Sequence, residues 1–387
     1  MINTKDLKNE MTIKNLEKRG YHLNKNLFDF MHERKEINNN IEEINRKINQ
    51  NIHNQEDKNN LKLFKDNLII LENKINDILF MVPNILHDTV PEGKGEEHNV
   101  VLKTFFDDLK IEHDINHVFI GKNLGLDIET GVDLAHTRFN LMRGDIAKLH
   151  RKLINMALNF YEKCGYEEFY VPLLVNEDTI FGTGQYPKFK EELFTTEGNQ
   201  KLYLIPTGEV PLTNIVKNKI LKENEVEQKI MTQTPCFRKE VGAYGKDTKG
   251  IIRQHQFEKI ELVRICLPEN GMKNFEEMIF NVTEFVKQFN IPFRIIELCA
   301  GDIGFAGHKA YDFEIWFPNE KKYREIATIT WCHDFQARRM NTKYKNKNNE
   351  KFYIHTLNGT GLAVGRLLAA ILENYKDTKI NDLPFLK

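Results

Sequence analysis

The sequence predicts an α+β protein: an N-terminal antiparallel helical hairpin, forming a coiled-coil arm, ahead of a larger domain on a mainly antiparallel β-sheet with flanking helices. Three observations carry this. Apolar residues near the N-terminus recur at alternating spacings of four and three. A stretch with two prolines and a glycine then stops the pattern. Beyond it, short β-branched and aromatic runs separated by glycines are not regularly interleaved with helices, which argues against a doubly wound fold.

The arm spans about residues 27–79. Its first stripe is Ile37, Ile41, Ile44 and Ile48, and its second is Phe64, Leu68, Leu71, Ile75 and Ile78; the polar residues 49–57 between them form the turn. Helices of roughly 22 residues would reach on the order of 30 Å. With one narrow apolar seam and many Asn residues outside it, the hairpin is expected to be marginally stable and to project as a solvated arm. Periodicity alone fits a dimerisation coiled coil equally well. Charge does not decide, because residues 1–90 carry 14 Lys+Arg against 14 Asp+Glu.

Pro83, Pro91 and Gly93 mark a linker, which divides the chain into 1–93 and 94–387. In the second part the runs at 169–174, 202–206, 251–262 and 310–317 read as strands. Residues 145–161 read as an amphipathic helix with Ile146, Leu149, Leu153, Met156, Ala157 and Phe160 on one stripe.

At 387 residues the chain is too long for one ordinary core. No apolar run approaches the ~20 residues that span a bilayer, and residues 1–10 lack the apolar segment of a secretory signal, so the cytoplasm is the expected compartment. The five cysteines are scattered without a C-x-x-C pair, so they read as unpaired thiols and no zinc site is expected. A formal net charge of -1 gives no sign of nucleic-acid binding.

The chemistry concentrates in two segments. The first is Thr234-Pro-Cys-Phe-Arg-Lys-Glu240, a loop at 241–250, and Ile251-Ile-Arg-Gln-His-Gln-Phe-Glu-Lys-Ile-Glu261, read as strand, loop, strand. Period-2 alternation puts Arg238 and Glu240 on one face, and Arg253, His255, Phe257, Lys259 and Glu261 on one face of the second strand. A structural strand would not be so polar. An arginine fork can hold a phosphate, a flat Phe can stack on a purine, and carboxylates can accept from an amine or hydroxyl. The second is Leu357-Asn-Gly-Thr-Gly361, leading into a small-residue helix with Arg366 near its start; alone, that glycine pattern fits close helix–sheet packing better than a ligand site.

Together with Gly165-Tyr166 through Pro172-Leu173, these segments resemble motifs 2, 3 and 1 of the class II aminoacyl-tRNA synthetases. The finer resemblance is to seryl-tRNA synthetases, through Leu202-Tyr-Leu-Ile-Pro-Thr-Gly-Glu-Val-Pro-Leu-Thr-Asn214, Phe181-Gly-Thr-Gly-Gln-Tyr-Pro-Lys188 and Asp334-Phe-Gln-Ala-Arg-Arg-Met340. It runs in order over nearly the whole chain, arm included.

The resemblance implies an ATP-dependent ligase that activates L-serine as seryl-adenylate and transfers it to the 3′ end of tRNA(Ser); tRNA(Sec) is a compatible second acceptor. It implies that Arg238 binds the α-phosphate and the substrate carboxylate, and that Arg366 covers the adenine and meets the γ-phosphate; these two are the catalytic residues. Lys239 and Glu240 fall in the ATP-binding stretch, Phe257 stacks on the adenine, and Glu325, Ile326, Ala327 and Thr328 match an ATP-contacting run. Glu325 lies near Mg²⁺. Thr207, Gly208, Glu209, Arg238, Glu261 and Thr360 match the serine-binding set, with Glu209 taking the ammonium and Glu261 the hydroxyl. The family uses its arm to grip the long variable arm of tRNA(Ser), and the motif 2 loop with Lys246 and Lys249 to meet the acceptor end. A homodimer formed around Pro172 is implied.

Ala327, Thr328, Ile329, Thr330 and Trp331 stand where the family usually has serines and an asparagine; Thr360 replaces a serine; and the arm is short. These departures leave two alternatives: a degenerate paralogue that binds tRNA without aminoacylation, and a ligase loading an amino acid onto a carrier protein.

Overall fold

The computed structural model describes residues 1–242, 245, 247 and 250–386, which form two compact units, Met1–Ile85 and Leu86–Lys387. Lys246 and Lys249 of the motif 2 loop lie outside the described residues.

In the first unit a short helix α1 (Glu10–Lys18) is followed by α2 (Asn26–Asn49) and α3 (Gln55–Leu79), the two long helices of the expected hairpin. The turn is specified locally. The Asn54 side chain accepts from the Asp57 N–H at 2.8 Å and Asp57 returns a bond to the Asn54 N–H at 3.0 Å, a capping box that starts α3. Leu27, Ile37, Leu71, Ile75 and Leu79 are buried along the seam, with Leu7, Leu16 and Val82 completing the cluster. Toward the turn Ile44 is still buried, but Ile41, Phe64 and Leu68 are only half-buried, so the seam is weaker there.

The second unit is organised by an eight-stranded sheet. Its strands are β1 (Val100–Phe105), β2 (Glu167–Glu168), β3 (Gln228–Phe237), β4 (Gln256–Cys266), β5 (Phe293–Glu297), β6 (Lys309–Phe317), β7 (Lys322–His333) and β8 (His355–Ala363). The order is β1-β5-β6-β7-β8-β4-β3-β2, antiparallel throughout except for the edge pair β2–β3. Helices α4 (Gly144–Lys163), α5 (Gly271–Lys287) and α6 (Val364–Asn374) share a core with one face of this sheet, where Ile260, Leu262, Phe313 and Ile329 meet Leu149, Leu153, Met278, Phe285 and Leu367. The expected α4 stripe is present, with Met156 and Phe160 at its margin.

Two strand expectations are corrected. The strand expected at 169–174 gives way to two short strands on either side, Glu167–Glu168 and Leu174–Val175, because Pro172 between them can donate no ladder bond. The strand expected from 251 begins at Gln256. Ile251 is buried in the core, and the Gln254 amide bonds its carbonyl at 2.7 Å, so 251–255 turn instead of extending. Arg253 and His255 therefore precede β4, and only Phe257, Lys259 and Glu261 share a strand face. No helix among the described residues is long and apolar enough to cross a membrane.

Candidate active site

Phe257, Lys259 and Glu261 point away from the helical core, and the same face of β4 becomes apolar at Val263 and Ile265, which are covered by Leu212 and Ala337. The polar stretch is thus the uncovered part of the face. Register sets Glu261 between Thr232 of β3 and Thr360 of β8, and Thr330 of β7 beside Asn358. Two bulges adjust what faces the cavity. One, between Thr360 and Leu362, keeps Thr360 in the site and sends Leu362 into the core. The other, between β6 and β7, breaks register between Phe313 and Glu314, so that Glu325 reaches a cavity while Ala327 packs in the core.

At one end of the cavity two carboxylates are held by different donors. Thr207 Oγ1 donates to Glu261 Oε2 at 2.7 Å and accepts from Lys259 Nζ at 2.8 Å, and Lys259 also ion-pairs with Glu261. Glu209 instead accepts from neutral amides, Gln336 Nε2 at 2.6 Å and Asn358 Nδ2 at 2.9 Å. Gln336 is oriented in turn by the Thr356 hydroxyl at 2.6 Å. Burial and the neighbouring Glu261 charge push Glu209 up to about 7.

Gly208 lies between these residues, where a Cβ would stand 2.6 Å from Thr232 Cγ2 and 3.1 Å from Glu261 Cβ. Gly208→Ala is therefore expected to destabilise the fold by ~1–3 kcal/mol, as other overpacked sites do. Denaturant unfolding measures this, and a loss within ~0.5 kcal/mol would mean the backbone yields freely there.

At the other end Arg238 follows β3. Its Nε donates to the Pro206 carbonyl at 3.1 Å, and its guanidinium lies 5.2 Å from the centre of the Phe257 ring. The Arg238 main chain is tied down too, its N–H donating to the His255 carbonyl at 3.0 Å and its carbonyl accepting from His255 Nδ1 at 2.9 Å. Glu240, at φ 53°, occupies a left-handed conformation unusual for a non-glycine and bonds Arg253 at 2.7 Å. Arg366 Nη1 lies 2.9 Å from the Glu325 carbonyl and 3.0 Å from its carboxylate. Desolvation opposes ionisation of Glu325, but Arg366, with Arg238 and Lys259 behind it, holds the carboxyl below its ordinary range. Asp312 is pushed well above its ordinary range by burial and then by Glu325, and its buried Oδ1 has no hydrogen-bond partner among the described residues.

Thr207, Glu209, Arg238, Glu240 and Arg366 line one cavity of about 530 Å³. A smaller adjoining cavity shares Arg238, Glu240 and Arg366 and adds Phe257, Ile326 and Thr360. The combined space suits a small-molecule site. Gly208 and Glu261 border neither cavity, and three further expected residues face elsewhere. Lys239 is exposed, with Nζ 5.9 Å from the Phe194 ring; Ala327 is in the core; and the Thr328 side chain bonds Asp312. Gln336 and Asn358 carry no expectation from the sequence, and Arg253 and Lys259 only that of belonging to a polar face. Gln336 and Asn358 meet Glu209 across 127 and 149 residues, a pairing with no local signal.

The family model described as tRNA synthetase class II core domain (G, H, P, S and T) matches residues 188–375. A serine–tRNA ligase of Saccharophagus degradans is 40% identical over 401 aligned positions, covering 97% of this chain and 94% of that protein. One from Hydrogenobaculum is 46% identical over 315, covering 80% and 75%. Among solved structures, seryl-tRNA synthetase from Pyrococcus horikoshii complexed with ATP matches with a TM-score of 0.84 and 29% identity, covering 97% of this chain and 94% of that one. Cytoplasmic serine–tRNA ligase from Naegleria fowleri in complex with AMP matches at 0.83 and 30%, covering 95% and 90%.

Proposed function

This chain belongs to the seryl-tRNA synthetase family, and from that premise we propose that it is a serine–tRNA ligase whose adenylate site is the double cavity on β3, β4, β7 and β8. The observation that carries the reading is a pair of neighbouring buried carboxylates, Glu209 and Glu261, with the Arg238 charge close to Glu209. A free amino acid with a hydroxyl has a matching set: an ammonium for Glu209, a hydroxyl for Glu261 and a carboxylate for Arg238. Thr360, opposite Glu261 on β8, adds a second hydroxyl at that end.

Activation needs no base. A carboxylate is already a competent nucleophile, so the protein's task is to align it with the α-phosphorus and stabilise the developing charge. Arg238 touches both anions, Arg366 takes the γ-phosphate, and the adenine lies against Phe257 and Glu240. Glu325 and the neighbouring Asp312, whose Oδ1 has no hydrogen-bond partner among the described residues, offer carboxylate oxygens of the kind Mg²⁺ takes. Mg²⁺ held by Glu325 with ATP would supply charge neutralisation on the phosphates. The hydroxyl-seeking carboxylate at Glu261 rejects alanine, which leaves it unpaired.

The arm grips tRNA(Ser), the motif 2 loop meets the acceptor end, and a second copy of the chain joins through the region of Pro172, where Tyr170 is fully exposed. The cytoplasm is the working compartment. A degenerate paralogue or a carrier-protein ligase is not favoured, because Arg238, Glu240, Glu261 and Arg366 are all retained.

Serine-dependent ATP–pyrophosphate exchange tests the reading, and a folded protein with none would sink it. The pH profile adds detail. Serine's ammonium requires ionised Glu209, so with Glu209 at about 7 in the free enzyme, kcat/KM for serine should rise as pH increases through that value and level off above it. A flat profile from about 6 to about 8 would remove Glu209 from ammonium binding.

A further inference from the structure

Glu261 is 2% exposed and sits in the same buried site as Glu209. Two buried carboxylates disfavour each other's charge unless something divides their roles. Here the division is visible in the donors. Glu209 is held by the amides of Gln336 and Asn358, whereas Glu261 carries an ion pair with Lys259, itself buried.

The triad is closed. Lys259 Nζ meets both Thr207 Oγ1 and Glu261 Oε2, and the Thr207 hydroxyl donates to that same Oε2. Thr207 Oγ1 also accepts from the Glu209 N–H at 3.2 Å, so its hydrogen-bonding capacity is used within the protein. Both bonds to Glu261 therefore fall on one oxygen. Among the described residues nothing bonds Oε1; Glu261 itself borders neither cavity, but Thr207, which it bonds, lines the larger one and Thr360, its partner on β8, lines the smaller, so Oε1 is the oxygen left for a ligand.

We propose that Lys259 is a positioning residue for hydroxyl specificity: by fixing Glu261 Oε2 directly and through Thr207, it presents Oε1 as the acceptor that tells serine from alanine. This rests on the serine–tRNA ligase reading. Lys259 acts through Glu261, and Arg238 remains the group for the substrate carboxylate. A lysine suits the task because a compact ammonium can bond two oxygens on different elements at once.

The test is pyrophosphate exchange with serine and with alanine, in wild type and Lys259→Met. Loss of a charge-assisted bond to a buried acceptor should lower kcat/KM for serine roughly 100-fold, mainly through KM. Alanine, which never used Glu261, should change by less than about 3-fold, so the serine/alanine ratio collapses. Equal losses for both amino acids, or an unchanged ratio, would overturn the proposal. Because Lys259→Met leaves Glu261 buried and unpaired, the comparison is repeated between Glu261→Gln and the double variant Lys259→Met/Glu261→Gln. If Lys259 works through Glu261, these two agree within about 3-fold for both substrates. A further ~10-fold loss in the double variant would assign Lys259 to ATP or the serine carboxylate instead. Wild type without serine-dependent exchange overturns the underlying reading, and this proposal with it; exchange with an unchanged ratio overturns this proposal alone.

Discussion

Arg238→Ala is expected to lower serine-dependent pyrophosphate exchange by at least ~10³-fold, with the loss in kcat as well as in KM. The size follows from where the side chain sits. It borders both cavities, as Glu240, Arg253 and Arg366 do, but it alone of these is held by the Pro206 carbonyl next to Thr207 at the amino-acid end. It is also pre-positioned. The Pro206 carbonyl takes Nε, the Phe257 ring supports the plane, and His255 clasps its main chain from both sides. A preorganised cation pays no reorganisation at the moment of reaction, which is why removing one costs so much. Thermal melting should change little, because the side chain contributes one bond to the fold. Exchange within about 10-fold of wild type would refute the assigned role.

Removal of residues 30–78, with a short glycine–serine turn joining the ends, is expected to leave exchange within about 3-fold while tRNA charging falls by ~10³-fold or more. Every residue of the double cavity lies in the second unit, so adenylate formation does not need the arm. Leu7, Leu16, Leu27, Leu79 and Val82 stay behind as a small apolar cluster. The arm itself has little to fold for. Its buried seam is short, and Leu63, Ile69 and Ile70 remain exposed, which is more easily understood if a partner completes its surface. Full charging by the shortened protein would take the arm out of the mechanism. Comparing the two activities in one preparation separates this outcome from misfolding.

Part of the fold was legible because it depends on local patterning. The hairpin rests on heptad-like spacing and on the Asn54 and Asp57 cap, all within a few residues of each other. The α4 stripe and the strand at Ala310 follow from period alone. Strand ends were less legible. Residues 251–255 have strand-like composition, yet the burial of Ile251 and the Gln254 bond to its carbonyl turn the chain aside, and both depend on neighbours packed from elsewhere. The same limit applies in the site. Ala327 and Thr328 follow Glu325 directly, but the bulge that turns Glu325 toward the cavity sends Ala327 into the core, and a bulge is a property of two paired strands.

The sequence by itself determined the α+β class, the arm, and the inventory of charged and aromatic residues for adenylate chemistry, because period and residue type act over short stretches of chain. Only the tertiary structure decided which of those residues meet. Gln336 reaches Glu209 from the short helix Phe335–Arg339 and Asn358 from β8, Thr207 reaches Glu261 across 54 residues, and Arg366 finds Glu325 across 41. Such contacts are set by sheet register and by which face of each strand the core leaves uncovered. Neither is written in any one segment. The sequence supplied two carboxylates for a serine-sized ligand; the fold gave one of them a lysine and the other two amides, and so gave them different work.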